Sequence, residues 1–194
     1  MILIISGMSC AGKDTAQDYL ASKGWDFLVS TTSRPIRPNE IEGKNYYFVS
    51  RPEFEDKIKN DELLEYRSYK TKVKGIDDLW YYGVEKKNVA IEKNTIAVLD
   101  SVGYHAFVKE FGKENVKLLW IDLPDELRRE RNIARLDYDE TEFNRRTIQD
   151  AISFGDLRDH ATITIDNSGT YEDLYYLLDI LHDQLLGINL EKYA

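Results

Sequence analysis

Short apolar runs punctuate the chain at Ile2 to Ser6, Phe27 to Ser30, Ile96 to Asp100, Leu118 to Asp122 and Ile163 to Asp166, each bounded by turn-forming or charged residues. Helical spacing follows most of them, over about Lys13 to Ser22, Val102 to Phe111, Asp125 to Arg135, Thr141 to Phe154 and Tyr171 to Leu186. Strand and helix patterns in alternation predict an α/β fold built on a five-stranded parallel sheet flanked by helices. The last helix carries Leu174, Leu177, Leu178, Leu181 and Leu185 on one stripe, a core-facing side.

Between Thr31 and Asn94 the texture changes. Tyr-rich segments at Asn45 to Ser50, Leu63 to Tyr69 and Trp80 to Val84 read as strands, with a short helix near Pro52 to Lys59. The expected organisation is therefore a core of residues 1–30 and 95–194, interrupted by a small α+β lobe over 31–94, with a helical lid at about 128–146 inside the core's second half. The stretch from Tyr69 to Leu79 reads as a long loop, either a flap or a solvated connection.

The chain has 194 residues, enough for one well-buried core with a small inserted lobe. Its formal net charge of -9 opposes general binding to nucleic acid or to an anionic membrane, so a phosphate ligand would need local Arg and Lys residues to reverse the field. The single cysteine, Cys10, leaves no internal disulfide and fits a reducing compartment. The apolar start breaks at Ser6 and Gly7, too early for a signal peptide or a membrane span, and the expected location is the cytoplasm. The three histidines, His105, His160 and His182, lack ligand spacing and are assigned no metal or catalytic role.

Directly after the first strand comes Gly7-Met8-Ser9-Cys10-Ala11-Gly12-Lys13, opening a helix. This is the strand and helix context that a G-x-x-x-x-G-K phosphate loop requires. Glycines let successive backbone N–H groups face an anion, the helix N-terminus adds partial positive charge, and Lys13 extends toward the β- and γ-phosphates. Gly7, Ser9, Ala11, Gly12, Lys13, Asp14 and Thr15 are the expected ATP-binding residues. Thr15 supplies a hydroxyl to phosphate or to Mg²⁺; Asp14 either touches the metal through water or favours the helix N-terminus.

The next segment, Ser30-Thr31-Thr32-Ser33-Arg34-Pro35-Ile36-Arg37-Pro38-Asn39-Glu40, followed by Glu42-Gly43-Lys44-Asn45-Tyr46-Tyr47-Phe48-Val49-Ser50, resembles the GMP-binding segment of guanylate kinases. Phe54, Leu64-Glu65-Tyr66 and Tyr81-Tyr82-Gly83 continue the pattern, so that the resemblance covers nearly the whole chain in order. Two arginines on one loop suit a phosphate by charge-assisted bonds, and tyrosine hydroxyls complete such a site. The resemblance implies that Arg34, Arg37, Tyr46 and Tyr82 hold the acceptor phosphate, and that Glu65, with Ser30 nearby, selects guanine through N1 and N2. It also implies a P-loop kinase that moves the ATP γ-phosphoryl group to GMP or dGMP. Two departures stand out: Val84 occupies a position where the family has a hydroxyl for guanine O6, and Ser101-Val102-Gly103 replaces a second acid after Asp100.

Asp100, at the end of an apolar strand, is the expected orienter of Mg²⁺ or its water shell, and it also borders the acceptor site. Arg131 and Arg135 share a helix face, and the resemblance matches them and Arg146 to lid residues that contact ATP phosphates and the transition state. Lys13, Arg37, Arg131, Arg135 and Arg146 make up the expected catalytic set. Arg128, Arg129 and Arg145 read as exposed helix charges. Asp166-Asn167 resembles in position a loop that contacts adenine, or forms a simple turn. The expected ligands are ATP, Mg²⁺ and small nucleotides, without nucleic acid or membrane, in a monomer or homodimer. Val84 leaves open a broader deoxynucleotide kinase or a ribosyl-phosphate kinase, and a catalytically inactive protein-binding module of the same family is a further alternative.

Overall fold

The structure is a computed structural model that describes residues 1–38, 40–73, 76–134, 140–190 and Tyr193, with only the backbone described at 71–73, 76 and 142. Its main sheet has five parallel strands: β1 (Ile2–Ser6), β2 (Asp26–Phe27), β7 (Thr95–Val98), β8 (Val116–Asp122) and β9 (Ile163–Asp166), in the spatial order β2-β7-β1-β8-β9. Alternation along β1 divides the core in two. Leu3 and Ile5 face one side, packed with Leu20 of helix α1 (Lys13–Ser22) and Leu174, Leu178 and Leu181 of helix α7 (Tyr171–Leu186). Ile2 and Ile4 face the other, packed with Tyr104 and Phe107 of helix α3 (Ser101–Phe111). Both faces of the sheet are thus covered, as a parallel sheet demands.

The lobe forms a second sheet in the order β4-β3-β6-β5, from β3 (Thr31–Thr32), β4 (Tyr47–Phe48), β5 (Leu63–Val73) and β6 (Ile76–Glu85). Helix α2 (Arg51–Lys59) begins with a capping box in which the Ser50 hydroxyl accepts from Glu53 N and the Glu53 carboxylate accepts from Ser50 N.

The stretch Tyr69 to Leu79 departs from expectation. Instead of a loop, β5 and β6 run on as an antiparallel ribbon whose pairs include Tyr69 with Trp80, Thr71 with Asp78 and Val73 with Ile76. Tyr69, Thr71 and Val73 recur at every second position of one arm and the other arm carries Ile76, Trp80, Tyr81 and Tyr82, a composition that fits a pleated surface, and Lys72 stands opposite Asp77 in register. The strand expected at Phe27 to Ser30 shrinks to Asp26–Phe27, because the chain leaves the main sheet there to enter the lobe; a last ladder bond runs from Leu28 N to Ile96 O, 2.8 Å.

The remaining helices are α4 (Asp125–Ile133), α5 (Glu140–Phe154) and α6 (Leu157–His160). Among the described residues no helix is long and apolar enough to cross a membrane.

Candidate active site

The turn between β1 and α1 takes its shape from glycine. Gly7 has φ +151° and Gly12 φ +101°; a Cβ at Gly7 would lie 2.5 Å from the Ile121 carbonyl oxygen, and one at Gly12 would lie 2.4 Å from Asn167 Nδ2. Only a residue without a side chain lets the loop sit this close to β8 and to the turn after β9. Helix α1 then opens without a side-chain cap, leaving its N-terminal N–H groups to an anion.

Lys13 Nζ arches back over the loop and donates to Gly7 O at 2.8 Å and Met8 O at 3.0 Å. Burial pushes its ammonium pKa down from the usual lysine value, and the carboxylates of Asp150 and then Asp14 pull it back. Asp150, buried on α5, also accepts from Ser9 N at 2.5 Å. Ala11 is buried beneath the loop and accepts from Asn167 Nδ2 at 2.7 Å, while Arg131 donates to Asn167 O at 2.7 Å. Asn167 thus braces the loop. Asp166 forms a turn, accepting from Ser168 N and Oγ.

Arg128 corrects an expectation. It is fully buried, not an exposed helix charge, with Nη1 donating to Ser9 O at 3.4 Å and Nη2 to Asp125 at 2.6 Å. Its helix packs that face against the underside of the phosphate loop. Arg129 is exposed as expected.

Two cavities meet at Asp14. The smaller, about 360 Å³, is lined by Cys10, Gly12, Lys13, Thr15, Arg131 and Asn167 among others. The larger, about 730 Å³, separates α1 and α5 from the lobe. The lobe side presents Arg34, Arg37, Tyr46, Tyr69 and Tyr82, Ser30 lies at its floor, and α5 contributes Arg145, Arg146 and Asp150. Arg34 is held by Glu40 through two bonds of 2.9 and 2.6 Å, and its guanidinium lies 5.5 Å from the centroid of the Tyr46 ring. Burial pushes the Tyr46 hydroxyl up to about 12 and raises that of Tyr82 as well, so both remain proton donors at neutral pH.

Glu65, Val84 and Asp100 line neither cavity. Val84 is sealed in the core beside Leu28 and Leu99, a consequence of its strand packing the lobe onto the main sheet. Glu65 and Asp100 are buried and share one cation, Arg67, whose Nη2 lies 2.9 Å from Glu65 and whose Nη1 contacts Asp100. Asp100 also accepts from Gly103 N at 3.2 Å, capping α3, and from the Tyr69 hydroxyl at 3.5 Å. Its carboxylate is therefore engaged on the lobe side, whereas Asp14 and Thr15 stand beside Lys13. Arg135 lies outside the described residues.

Sequence reasoning passed over Arg67, Tyr69, Asp150 and the cleft-lining position of Arg145. The pattern held signals for three of them: Arg67 and Tyr69 follow Glu65 at the strand period of two, and Arg146, Gln149, Asp150 and Ser153 form one helical stripe, all lining the cleft.

A parallel sheet, a glycine-shaped anion loop opening a helix, and an arginine- and tyrosine-lined cleft facing it define a P-loop kinase fold. Residues 1–168 match the family model for guanylate kinase, and the chain belongs to that family. It is similar to the guanylate kinase of Clostridium tetani, 42% identical over 122 residues that cover 60% of this chain and 54% of that one. It is similar also to guanylate kinase 2, chloroplastic/mitochondrial, of Oryza sativa subsp. japonica, 47% identical over 78 residues covering 39% of this chain and 27% of that one. The matches span about half the length of the curated relatives or less. Among solved structures, guanylate kinase from Anaplasma phagocytophilum superposes with a TM-score of 0.64 at 25% identity, covering 95% of this chain and 85% of that one.

Proposed function

We propose that this chain is a nucleoside monophosphate kinase that transfers the γ-phosphoryl group of ATP to GMP or dGMP. The observation that carries the reading is the larger cleft, in which Arg34, Arg37, Tyr46 and Tyr82 face Arg145 and Arg146 across a gap that opens onto the phosphate loop. Such a gap suits two phosphate chains end to end, each with its own donors.

In this reading the loop N–H groups, Lys13 and Arg131 hold the donor phosphates in the smaller cavity, with Asn167 as brace. Arg34 and Arg37 clamp the acceptor phosphate, and the protonated hydroxyls of Tyr46 and Tyr82 donate to it. Lys13, Arg37, Arg131, Arg135 and Arg146 stabilise charge as the acceptor oxygen displaces ADP in line. Thr15, with Asp14 through water, would hold Mg²⁺, which supplies neutralisation of the polyphosphate; the contact of Asp100 with Arg67 supports a place for Asp100 on the acceptor side. Glu65 selects guanine, with Arg67 fixing its carboxylate. Residues 1–30 and 95–194 serve as the core, 31–94 as the acceptor lobe and about 128–146 as the lid, in a cytoplasmic monomer or homodimer.

The test is an ADP-release assay with Mg·ATP against GMP, dGMP, AMP, CMP, UMP and dTMP, with Lys13→Ala as the blank. Turnover confined to guanine nucleotides is expected. Comparable rates with GMP and dTMP would overturn the guanine assignment, and failure to bind ATP by calorimetry would favour a protein-binding module.

A further inference from the structure

Away from the cleft, two histidines that are 55 positions apart in the sequence converge on one carboxylate. His105 Nε2, from α3, lies 2.9 Å from Asp156 Oδ2; His160 Nε2, at the end of α6, lies 3.8 Å from the same oxygen. The imidazole centroids are 5.2 Å apart with the rings nearly perpendicular. Candidate ligand atoms of the three residues all fall within 4.8 Å of one another, which no other trio of His, Cys, Asp or Glu does among the described residues. His182 is not part of this; its Nδ1 accepts from Trp25 Nε1 at 2.9 Å.

We propose that His105, Asp156 and His160 form a binding site for a divalent transition-metal ion of the zinc type. Two imidazole nitrogens and one carboxylate oxygen are a donor set that Zn²⁺ prefers and Mg²⁺ does not. Tetrahedral Zn²⁺ with bonds of about 2.0–2.1 Å places its donors about 3.3 Å apart, so separations of 2.9 and 3.8 Å need only side-chain rotation to close around an ion. A lone ion pair would need one histidine for one aspartate; here two imidazoles turn to a single oxygen. The carboxylate has a partner outside the ligand set: the Ser101 side chain hydrogen-bonds to Asp156, the kind of outer support that fixes a ligand in place. All three side chains are about half exposed, 48%, 50% and 43%, which leaves an open side for entry and for a water as fourth ligand.

The position gives the ion a structural consequence. Asp156 stands two residues beyond Phe154, the last residue of α5, and Phe154 lines the large cleft. Bound metal ties α3 to the corner where α5 ends, clamping the base of the helix that carries Arg145 and Arg146. This inference is independent of the acceptor's identity.

The experiment is a Zn²⁺ titration of the full chain against a chromogenic chelator, with Co²⁺ absorption as a spectroscopic second reading. One equivalent of Zn²⁺ is expected to bind, with tetrahedral d–d bands for Co²⁺. A Tm rise of about 5–10 °C is expected at a hundredfold excess over Kd. His105→Ala and His160→Ala should each weaken binding about tenfold or more, with Asp156→Asn as a third variant and His182→Ala without effect; circular dichroism verifies that each is folded. Absence of saturable binding, or an affinity unchanged in both His105→Ala and His160→Ala, overturns the proposal.

Discussion

Arg67 Nη2 lies 2.9 Å from Glu65 Oε2, and the same guanidinium meets Asp100, so one cation stands between two buried carboxylates. Burial pushes the Glu65 carboxyl above the usual range, and Arg67 pulls it back. A raised carboxyl pKa means that the folded chain holds its proton more tightly than the unfolded chain. Stability therefore falls as pH rises from the unfolded value through the folded one.

Arg67→Met should leave both acids uncompensated, at a cost of about 3–5 kcal/mol. Because the variant raises the Glu65 pKa further, its Tm deficit should be larger at pH 8 than at pH 5; a deficit equal at both would contradict electrostatic coupling. With Val84 sealed in the core, Arg67 is also the donor beside Glu65. The preference for GMP over AMP should fall by about 10- to 100-fold in the variant, read from kcat/KM.

Glu85 behaves in the opposite sense. Burial would raise its pKa, but bonds from Lys87, Thr31 and Lys57 outweigh burial and hold it down to about 2. The stability it contributes is present above the unfolded value and is lost as pH falls from about 4.5 toward about 2. Glu85→Gln should cost about 3 kcal/mol at pH 7 and much less near pH 2. Urea midpoints at several pH values measure the difference, and parallel acid limbs for the two proteins would contradict the assignment.

Lys13→Met separates function from stability. The ammonium is partly desolvated under the loop, so at neutral pH it works against folding. Turnover should drop about 10²- to 10³-fold while Tm stays level or rises. A large fall in Tm would show that its bonds to Gly7 O and Met8 O are structural instead.

Gly12 and Asn167 should couple. Gly12→Ala forces a side chain at φ +101° into the Asn167 amide, costing about 1–3 kcal/mol. Asn167→Ala loses its bond to Ala11 O, costing about 1 kcal/mol. The double variant should lose less than the sum, because the collision is gone; strict additivity in a double-mutant cycle would argue against the contact.

The sheet, the phosphate loop and most helices were legible because their signals are local. A buried strand followed by G-x-x-x-x-G-K is readable within thirteen residues, and Tyr171–Leu186 and Lys13–Ser22 end where their patterns end. The arginines and tyrosines that line the larger cleft, Arg34, Arg37, Tyr46 and Tyr82, were legible through the ordered resemblance. What escaped depends on distant partners. Arg128 has the composition of a surface charge, and only the packing of α4 under the loop buries it. His105 and His160 acquire a common neighbour only when α3 and α6 are brought together. The Tyr69 to Leu79 stretch reads as a loop because its lysines and aspartates mask the period of two, whereas the backbone pairing that makes it a ribbon comes from the partner strand.

The long ribbon has a mechanical corollary. Glu65 stands opposite Val84 and Arg67 opposite Tyr82 on the same two strands, so the carboxylate proposed to read the base and the hydroxyl proposed to grip the phosphate ride on a single plank. Neither end shifts without the other. On the proposed assignment, a base that seats badly at one end displaces the hydroxyl at the other, and an error in reading the ring becomes an error in aiming the phosphate.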